Sequence, residues 1–328
     1  MLRHRNEFPV ERPLPPFDGA TAWLNSEPLT GERLAGRVAL VSFGTYTCIN
    51  WIRSLPYVRA WAGKYADKGL AVVGVQTPEF EFEGALDNVE RAIKEMDVRY
   101  PVAVDNDYAV WRAFDNHYWP ALYFADAQGQ LRHHHFGEGE YEESEMVLQM
   151  LLREAGIAVD QGLAHIEPTG VEAAADWANV GTAETYVGYE RANGFASPGG
   201  PRPDERHVYS APAELRRNHW ALGGDWQIGA VPARLYEPGG SISYRFVARD
   251  LHLVMGPPHH DSPVRFRVRL DGERPGPSHG IDVDEDGNGA ADYQRMYQLI
   301  RQPGPIGERM FQIEFLDAGV EAFVFTFG

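Results

Sequence analysis

The residue with most chemistry to offer is Cys48, the one cysteine in 328 residues. It cannot form an intramolecular disulfide, and a lone cysteine is usually core filler, since the thiol is among the most buried side chains. Its neighbours argue for chemistry instead. In Thr45-Tyr46-Thr47-Cys48-Ile49-Asn50-Trp51-Ile52-Arg53 the cysteine follows an apolar run and opens a stretch of apolar residues at helical spacing. Unpaired N–H groups and the helix dipole at such a position favour thiolate over thiol. The thiolate is the nucleophile in disulfide exchange and in peroxide reduction. Arg53, about one turn on, adds positive potential. Trp119-Pro120 is the second constellation, a proline at the start of a strand where it would face the helix N-terminus. Trp51 and Trp119 read first as packing around the turn, and alternatively as an apolar slot for a ligand, with Tyr46 and Asn50 as hydrogen-bonding candidates.

The elements that must hold these residues follow from the apolar pattern. Val38–Phe43 and Leu70–Val75 are short runs rich in strand formers, hence buried strands. Between them Ile52, Leu55, Val58, Trp61 and Tyr65 mark a helix from about 48 to 67, with a kink expected at Pro56. A helix over 87–96, a strand over 100–104, a short helix over 108–114, strands over 121–124 and 131–136, and a helix over about 142–154 complete a β-α-β-α-β-α-β-β-α order. Strand–helix alternation implies parallel strands joined by crossovers, with the last hairpin as an antiparallel edge. From Glu184 onward strand-like alternation replaces helical periods: Ile242, Tyr244, Phe246; Val264, Phe266, Val268, Leu270; Phe311, Ile313, Phe315; Phe323, Phe325, Phe327. That reads as an antiparallel sandwich or jelly roll. The expected organisation is an extended proline-rich arm (1–16), an α/β domain (17–156), a small-residue linker (157–183) and a β-sandwich (184–328).

Composition narrows the partners. The formal net charge is −17, and an acidic surface repels nucleic acid and anionic membranes. No apolar run approaches the ~20 residues that span a bilayer. If Met1 is the natural start the expected compartment is the cytoplasm, and if a leader was removed it is the periplasm or the exterior.

Cys48 followed by the later Trp119-Pro120 resembles the thioredoxin fold, whose active-site cysteine and cis-proline come in this order. The resemblance sharpens over residues 43–50, 53–61, Val75-Gln76-Thr77-Pro78-Glu79-Phe80, 105–108, 118–121 and 134–139, and again over 184–190 and 295–301. All are similar to the soluble region of DipZ-type proteins, in which a thioredoxin-like domain of the cytochrome c biogenesis (TlpA-like) type precedes a carbohydrate-binding-module-like sandwich. The resemblance implies a redox role with Cys48 as nucleophile, Pro120 aligning a partner's backbone, Trp51 closing the pocket, and Thr45, Tyr46, Asn50 and Trp119 as substrate contacts. It implies no cofactor. It also implies disulfide-bearing protein partners and a carbohydrate at the sandwich.

One departure from that pattern is decisive. Trp51 stands where the second cysteine of CxxC belongs, so the dithiol cycle cannot run within one chain. Three outcomes follow: a mixed disulfide on Cys48 resolved by glutathione or another small thiol; reaction with peroxide, also resolved externally; or a scaffold that only binds protein or carbohydrate. Thr45-x-x-Cys48 matches the threonine and cysteine of peroxiredoxin sites, but the preceding proline is missing, and exchange ranks above peroxidase activity.

Other motifs read as structural. Asp282, Asp284 and Asp286 before Gly287 and Asn288 resemble the first half of a calcium loop. Helical flanks are absent and Tyr293 stands at the twelfth position, so a solvated acidic hairpin is the better reading. His133-His134-His135 lies on a strand, where at most His133 and His135 share a face, and His259-His260-Asp261 sits in a Pro-Pro loop. Neither is read as a metal site. Trp177, Trp220 and Trp226 would make a sugar platform if they lined one face, but core packing is the commoner fate of tryptophan in a sandwich.

Overall fold

The computed structural model describes residues 8–259 and 262–328. The first seven residues of the arm, and His260 and Asp261 of the histidine-rich loop, lie outside the described residues. The chain divides into two compact units between Ala173 and Ala174.

In the first unit the elements run β1 (Arg12–Pro13), β2 (Ala22–Leu24), α1 (Gly31–Leu34), β3 (Val38–Gly44), α2 (Ile49–Tyr65), β4 (Leu70–Gln76), α3 (Leu86–Glu95), β5 (Val102–Val104), α4 (Ala109–Ala113), β6 (Ala121–Ala125), β7 (Gln130–Phe136) and α5 (Tyr141–Glu154). The sheet order is β1-β7-β6-β3-β4-β5-β2. β3, β4 and β5 are parallel, and β6 returns antiparallel on the other side of β3. β3 and β4 are buried along their whole length, as expected of parallel strands covered on both faces, which read as unbroken apolar runs. On one face Ala39, Val41 and Phe43 pack with Phe17, Leu34, Val110 and Phe114. On the opposite face α2 and α5 stand against β4, β3 and β6. α2 runs through Pro56, which lacks the N–H that would bond to Ile52. The chain passes from β5 across the sheet to β6, so strand order reverses at β3. Ligand crevices in open α/β sheets form at such a reversal, outside the carboxyl ends of the strands.

Two edge strands come from the N-terminal region. β1 pairs with β7 and β2 with β5, both antiparallel. Pro13 is tolerated because an edge strand needs no second ladder partner. Past α5 the chain does not leave the unit. The buried Glu145 carboxylate accepts from Lys64 Nζ (2.7 Å), Tyr65 Oη (2.6 Å) and the Ala164 N–H (2.8 Å), and Arg59 Nη2 donates to Glu172 (2.8 Å). Residues 157–172 are thereby stitched back onto α2 and α5.

Among its described residues the second unit is all β, with eleven strands in two packed faces. Strand Trp220–Ile228 belongs to both. Residues 220–223 pair with 241–244, and 224–228 pair with 206–209 and 233–235. The bend falls at Gly223-Gly224, where Gly224 has φ +95° and an added Cβ would stand 2.8 Å from the Gly240 Cα, so only glycine fits. Strand Val264–Leu270 alternates cleanly, Val264, Phe266, Val268 and Leu270 inward and Arg265, Arg267 and Arg269 outward, and the inward set joins a core with Phe311, Ile313, Phe315 and Tyr244. A thioredoxin-like α/β unit is thus followed by a β-sandwich. Among the described residues no helix is long and apolar enough to cross a membrane.

Candidate active site

β3 ends at Gly44, residues 45–47 turn, and Cys48 is the N-cap of α2 in extended backbone (φ −74°, ψ 111°). Its carbonyl accepts the first helical bond, from the Ile52 N–H at 3.0 Å. The N–H groups of Ile49, Asn50 and Trp51, which precede that bond, have no intrahelical partner, and the N-cap is where their partial positive charge is concentrated. The residue is half-buried, so the thiol is neither sealed in the core nor fully exposed.

The antiparallel register brings the second constellation to it. Phe43 pairs with Ala121, which sets Pro120 across from the end of β3. The Trp119-Pro120 peptide bond is cis, and the Cys48 thiol points at the Trp119 carbonyl oxygen, 3.8 Å away.

The other residues named from sequence divide by exposure. Asn50 and Trp119 are partly exposed, and of the two it is Trp119, through its carbonyl, that meets the thiol. Trp111 lies against Trp119 with ring centroids 4.5 Å apart. Trp51 does not wall a slot. It is 4% exposed, and its indole lies flat on Gly44, where an added Cβ would come within 2.1 Å of the ring. The position that carries the resolving thiol in a CxxC protein is here filled by a packed indole. Tyr46 is 2% exposed, edge-on to Phe82 at 6.2 Å, so its phenol is no surface donor. The Thr45 hydroxyl is buried and accepts from Gln76 Nε2 at 3.0 Å, rather than facing an incoming peroxide.

Two polar groups act as supports the sequence did not assign, Glu83 as a clamp on the active-site turn and Arg53 as one half of a buried ion pair rather than as positive potential for the thiol. Glu83, fully buried in the loop after β4, receives Thr47 Oγ1 (2.6 Å) and the Thr47 N–H (3.3 Å) on one oxygen. The Glu79 and Phe80 N–H groups (2.7 and 2.8 Å) reach the other. It clamps the active-site turn to that loop, and burial pushes its carboxyl above the usual range against the pull of those hydrogen bonds. Alternation of Glu79, Glu81 and Glu83 with Phe80 and Phe82 is visible in sequence, but burial of one of three glutamates leaves no periodic trace. Arg53 is 2% exposed and pairs with Glu138 at 3.5 Å, tying α2 to the loop after β7. That loop in turn donates from the Gly137 N–H to the Pro120 carbonyl at 2.9 Å.

Elsewhere the calcium-like run is satisfied internally. Asp282 binds Arg295 (2.8 Å) and the Gln298 N–H (2.8 Å), Asp284 receives the Asn288 N–H (2.7 Å), and Asp286 pairs with Arg274 (2.9 Å). Among the described residues no three metal-ligating side chains stand together. His134 pairs with Glu11 (2.9 Å) and His135 with Glu140 (3.3 Å), while His133 packs against Phe8. Trp220 and Trp226 are wholly buried, each indole N–H bonded to a carbonyl at 2.8 Å. Trp177 alone of the three is exposed, so no sugar platform is assembled from them.

Comparison with known proteins places this geometry. The first unit matches Bacillus subtilis thiol-disulfide oxidoreductase YkuV at 36% identity over 129 residues, 39% of this chain and 86% of YkuV. The chain belongs to the thioredoxin-like thiol-disulfide oxidoreductases. A longer similarity, 36% identity over 247 residues and 74% of this chain, is to protein DipZ of Mycobacterium bovis. The chain spans 35% of the length of that DipZ. Residues 10–134 match the AhpC/TSA family, and 182–328 match the thioredoxin-like C-terminal domain family. The solution structure of an oxidised thioredoxin-like protein is 35% identical, covering 44% of this chain and 96% of that one, with a TM-score of 0.41.

Proposed function

We propose that this thioredoxin-like oxidoreductase exchanges disulfides through Cys48 alone. The Cys48 thiolate attacks one sulfur of a partner disulfide; a Cys48–S–S–partner bond forms, the partner's own S–S bond breaks, and the departing thiolate takes a proton from water. An external thiolate, from a protein or a small thiol such as glutathione, then attacks the mixed disulfide. It leaves bonded to the partner's sulfur and returns Cys48 to its thiolate. The observation that carries this reading is a half-buried sulfur at the N-cap of a 17-residue helix, within 3.8 Å of the cis-proline turn, with tryptophan in place of a resolving thiol. Pro120 and the Trp119 backbone would align the partner chain.

The test is alkylation of Cys48 against pH together with thiol-dependent reduction of a model disulfide. Reaction should have its midpoint below the ~8.5 of an ordinary thiol, and reduction should vanish in Cys48→Ser. A thiol that stays unreactive in the folded chain overturns the reading and leaves a binding scaffold. The AhpC/TSA match favours a second reading, a one-cysteine peroxidase, which trapping of a Cys48 sulfenic acid by dilute peroxide would support.

A further inference from the structure

Three of the loops around Cys48 carry carboxylates with no lysine or arginine to match them. Residues 44–50, 77–84, 105–108, 117–120 and 137–140 contain no lysine or arginine. They carry Glu79 and Glu81 in one loop, Asp107 in the next, and Glu138 and Glu140 in the last, besides the buried Glu83 and Asp105, whose carboxyls burial holds above the usual range. Contacts fix these loops around the sulfur. Thr47 is bonded to Glu83, the Thr77 N–H donates to the Gly44 carbonyl (3.0 Å), Tyr108 Oη donates to the Pro78 carbonyl, and the Gly137 N–H donates to the Pro120 carbonyl. The nearby guanidinium of Arg53 is buried against Glu138, Arg59 farther along α2 is engaged by the Met96 carbonyl and Glu172, and Arg112 is on α4. At the other end of the sheet Arg37, Lys68 and Arg99 precede the three parallel strands β3, β4 and β5, and there the charges are mixed, with Asp67 beside Lys68 and Asp97 paired with Arg99 at 2.7 Å. The acidic excess of the unit's loops is therefore on the thiol side.

A second feature at the same end matches a cationic chain. Tyr118 and Phe136 are 53% and 40% exposed, their rings 4.9 Å apart, and they flank the cis-proline turn through the chain and through Gly137. Exposed aromatic faces beside carboxylates receive lysine and arginine side chains, by cation–π contact and by ion pairing.

We infer that the Cys48 site selects a basic polypeptide, a cysteine-bearing segment with lysine or arginine next to its disulfide, over an anionic thiol such as glutathione. This rests on the exchange reading above and names the partner class of the same site. Opposite charge raises the local concentration of such a partner at the thiolate, and salt weakens the effect.

Two probes test it on the full chain. The first is a pair of methanethiosulfonates, one bearing a trimethylammonium and one a sulfonate, which convert the Cys48 thiolate to a mixed disulfide and release methanesulfinate. The second is a pair of hexapeptides, each with its cysteine as a 2-pyridyl disulfide, flanked by lysine in one and by glutamate in the other; attack by Cys48 releases pyridine-2-thione. Relative to a free model thiol, the cationic member of each pair should react about tenfold faster or more at low salt, with the preference falling to within about threefold at 0.5 M salt. The Glu79→Gln/Glu81→Gln variant should lose most of that preference at low salt. Equal, salt-independent rates within both pairs overturn the inference and leave exchange standing. A preference among the small reagents without one between the peptides overturns the polypeptide assignment. Failure of every probe overturns the exchange reading, and this inference with it.

Discussion

Replacing Trp51 by cysteine would restore a CxxC motif and expose what the tryptophan does. The perturbation has two parts. Trp51 is 4% exposed and packed on Gly44, and large-to-small substitutions of buried aromatic residues cost about 3–5 kcal/mol. Cysteine keeps a Cβ and a sulfur, so Trp51→Cys should destabilise the first unit by ~3 kcal/mol, near the lower end of that range. The gain is a thiol three residues after the N-cap. Residues so spaced on a helix have Cβ atoms about 5–6 Å apart, and a disulfide needs about 3.5–4.5 Å, so Cys48, as the extended N-cap, must draw in by about 1–2 Å for the bridge to close. The assay is non-reducing mass spectrometry of the chain mixed with a disulfide-linked peptide. The native chain should hold one peptide on Cys48 until an external thiol is added, whereas the variant should eject it and gain an internal disulfide. Urea unfolding of both gives the stability cost. Release of the peptide by the native chain without added thiol would refute the single-thiol mechanism, and a variant as stable as the native chain would refute the packing role of the indole.

Thr47→Val removes the hydroxyl that reaches buried Glu83 at 2.6 Å while keeping shape. Hydrogen bonds to charged groups contribute about 1.5–3 kcal/mol, so urea unfolding should show a loss in that range, which Thr47→Ser should largely avoid; unchanged stability in Thr47→Val would mean the Glu79 and Phe80 amides hold the carboxylate without it. The Asp317 carboxyl should titrate at about 2, held down by hydrogen bonds from the Arg265 guanidinium and N–H. Because its folded value lies below the unfolded one near 3.8, its stabilisation is present above that unfolded value and is lost as pH falls through about 2. Carbon-detected NMR titration checks this, and a midpoint near 3.8 would show the pair does not persist in solution.

Much of this architecture is legible in the residues because burial on both faces writes itself as unbroken apolar runs, as in β3 and β4, and burial on one face as alternation, as in Val264–Leu270. The approach of Cys48 to the Trp119-Pro120 turn follows from a strand–helix boundary and an antiparallel return. What escaped was what lacks a period. β1 and β2 are two and three residues long, too short for any pattern to register. Trp51 against Gly44 is a matter of shape between a helix and the strand before it, which spacing does not encode. The internal partners of Asp282 and Asp286, Arg295 and Arg274, lie elsewhere in the chain, so two carboxylates of a run that looks like a cation loop are already paired by folding. Glu83 escaped because its burial depends on where a short loop folds down, while its two neighbouring glutamates carry the same letter.

The stitching of residues 157–172 onto α2 and α5 decides where this protein can be cut. A shortened chain ending just after α5 would keep the whole seven-stranded sheet yet strip Glu145 of the Ala164 amide and Arg59 of Glu172, leaving a carboxylate in the interior short of donors. Ending at Ala173 retains both, so the thioredoxin-like half should be excised with its trailing strap attached.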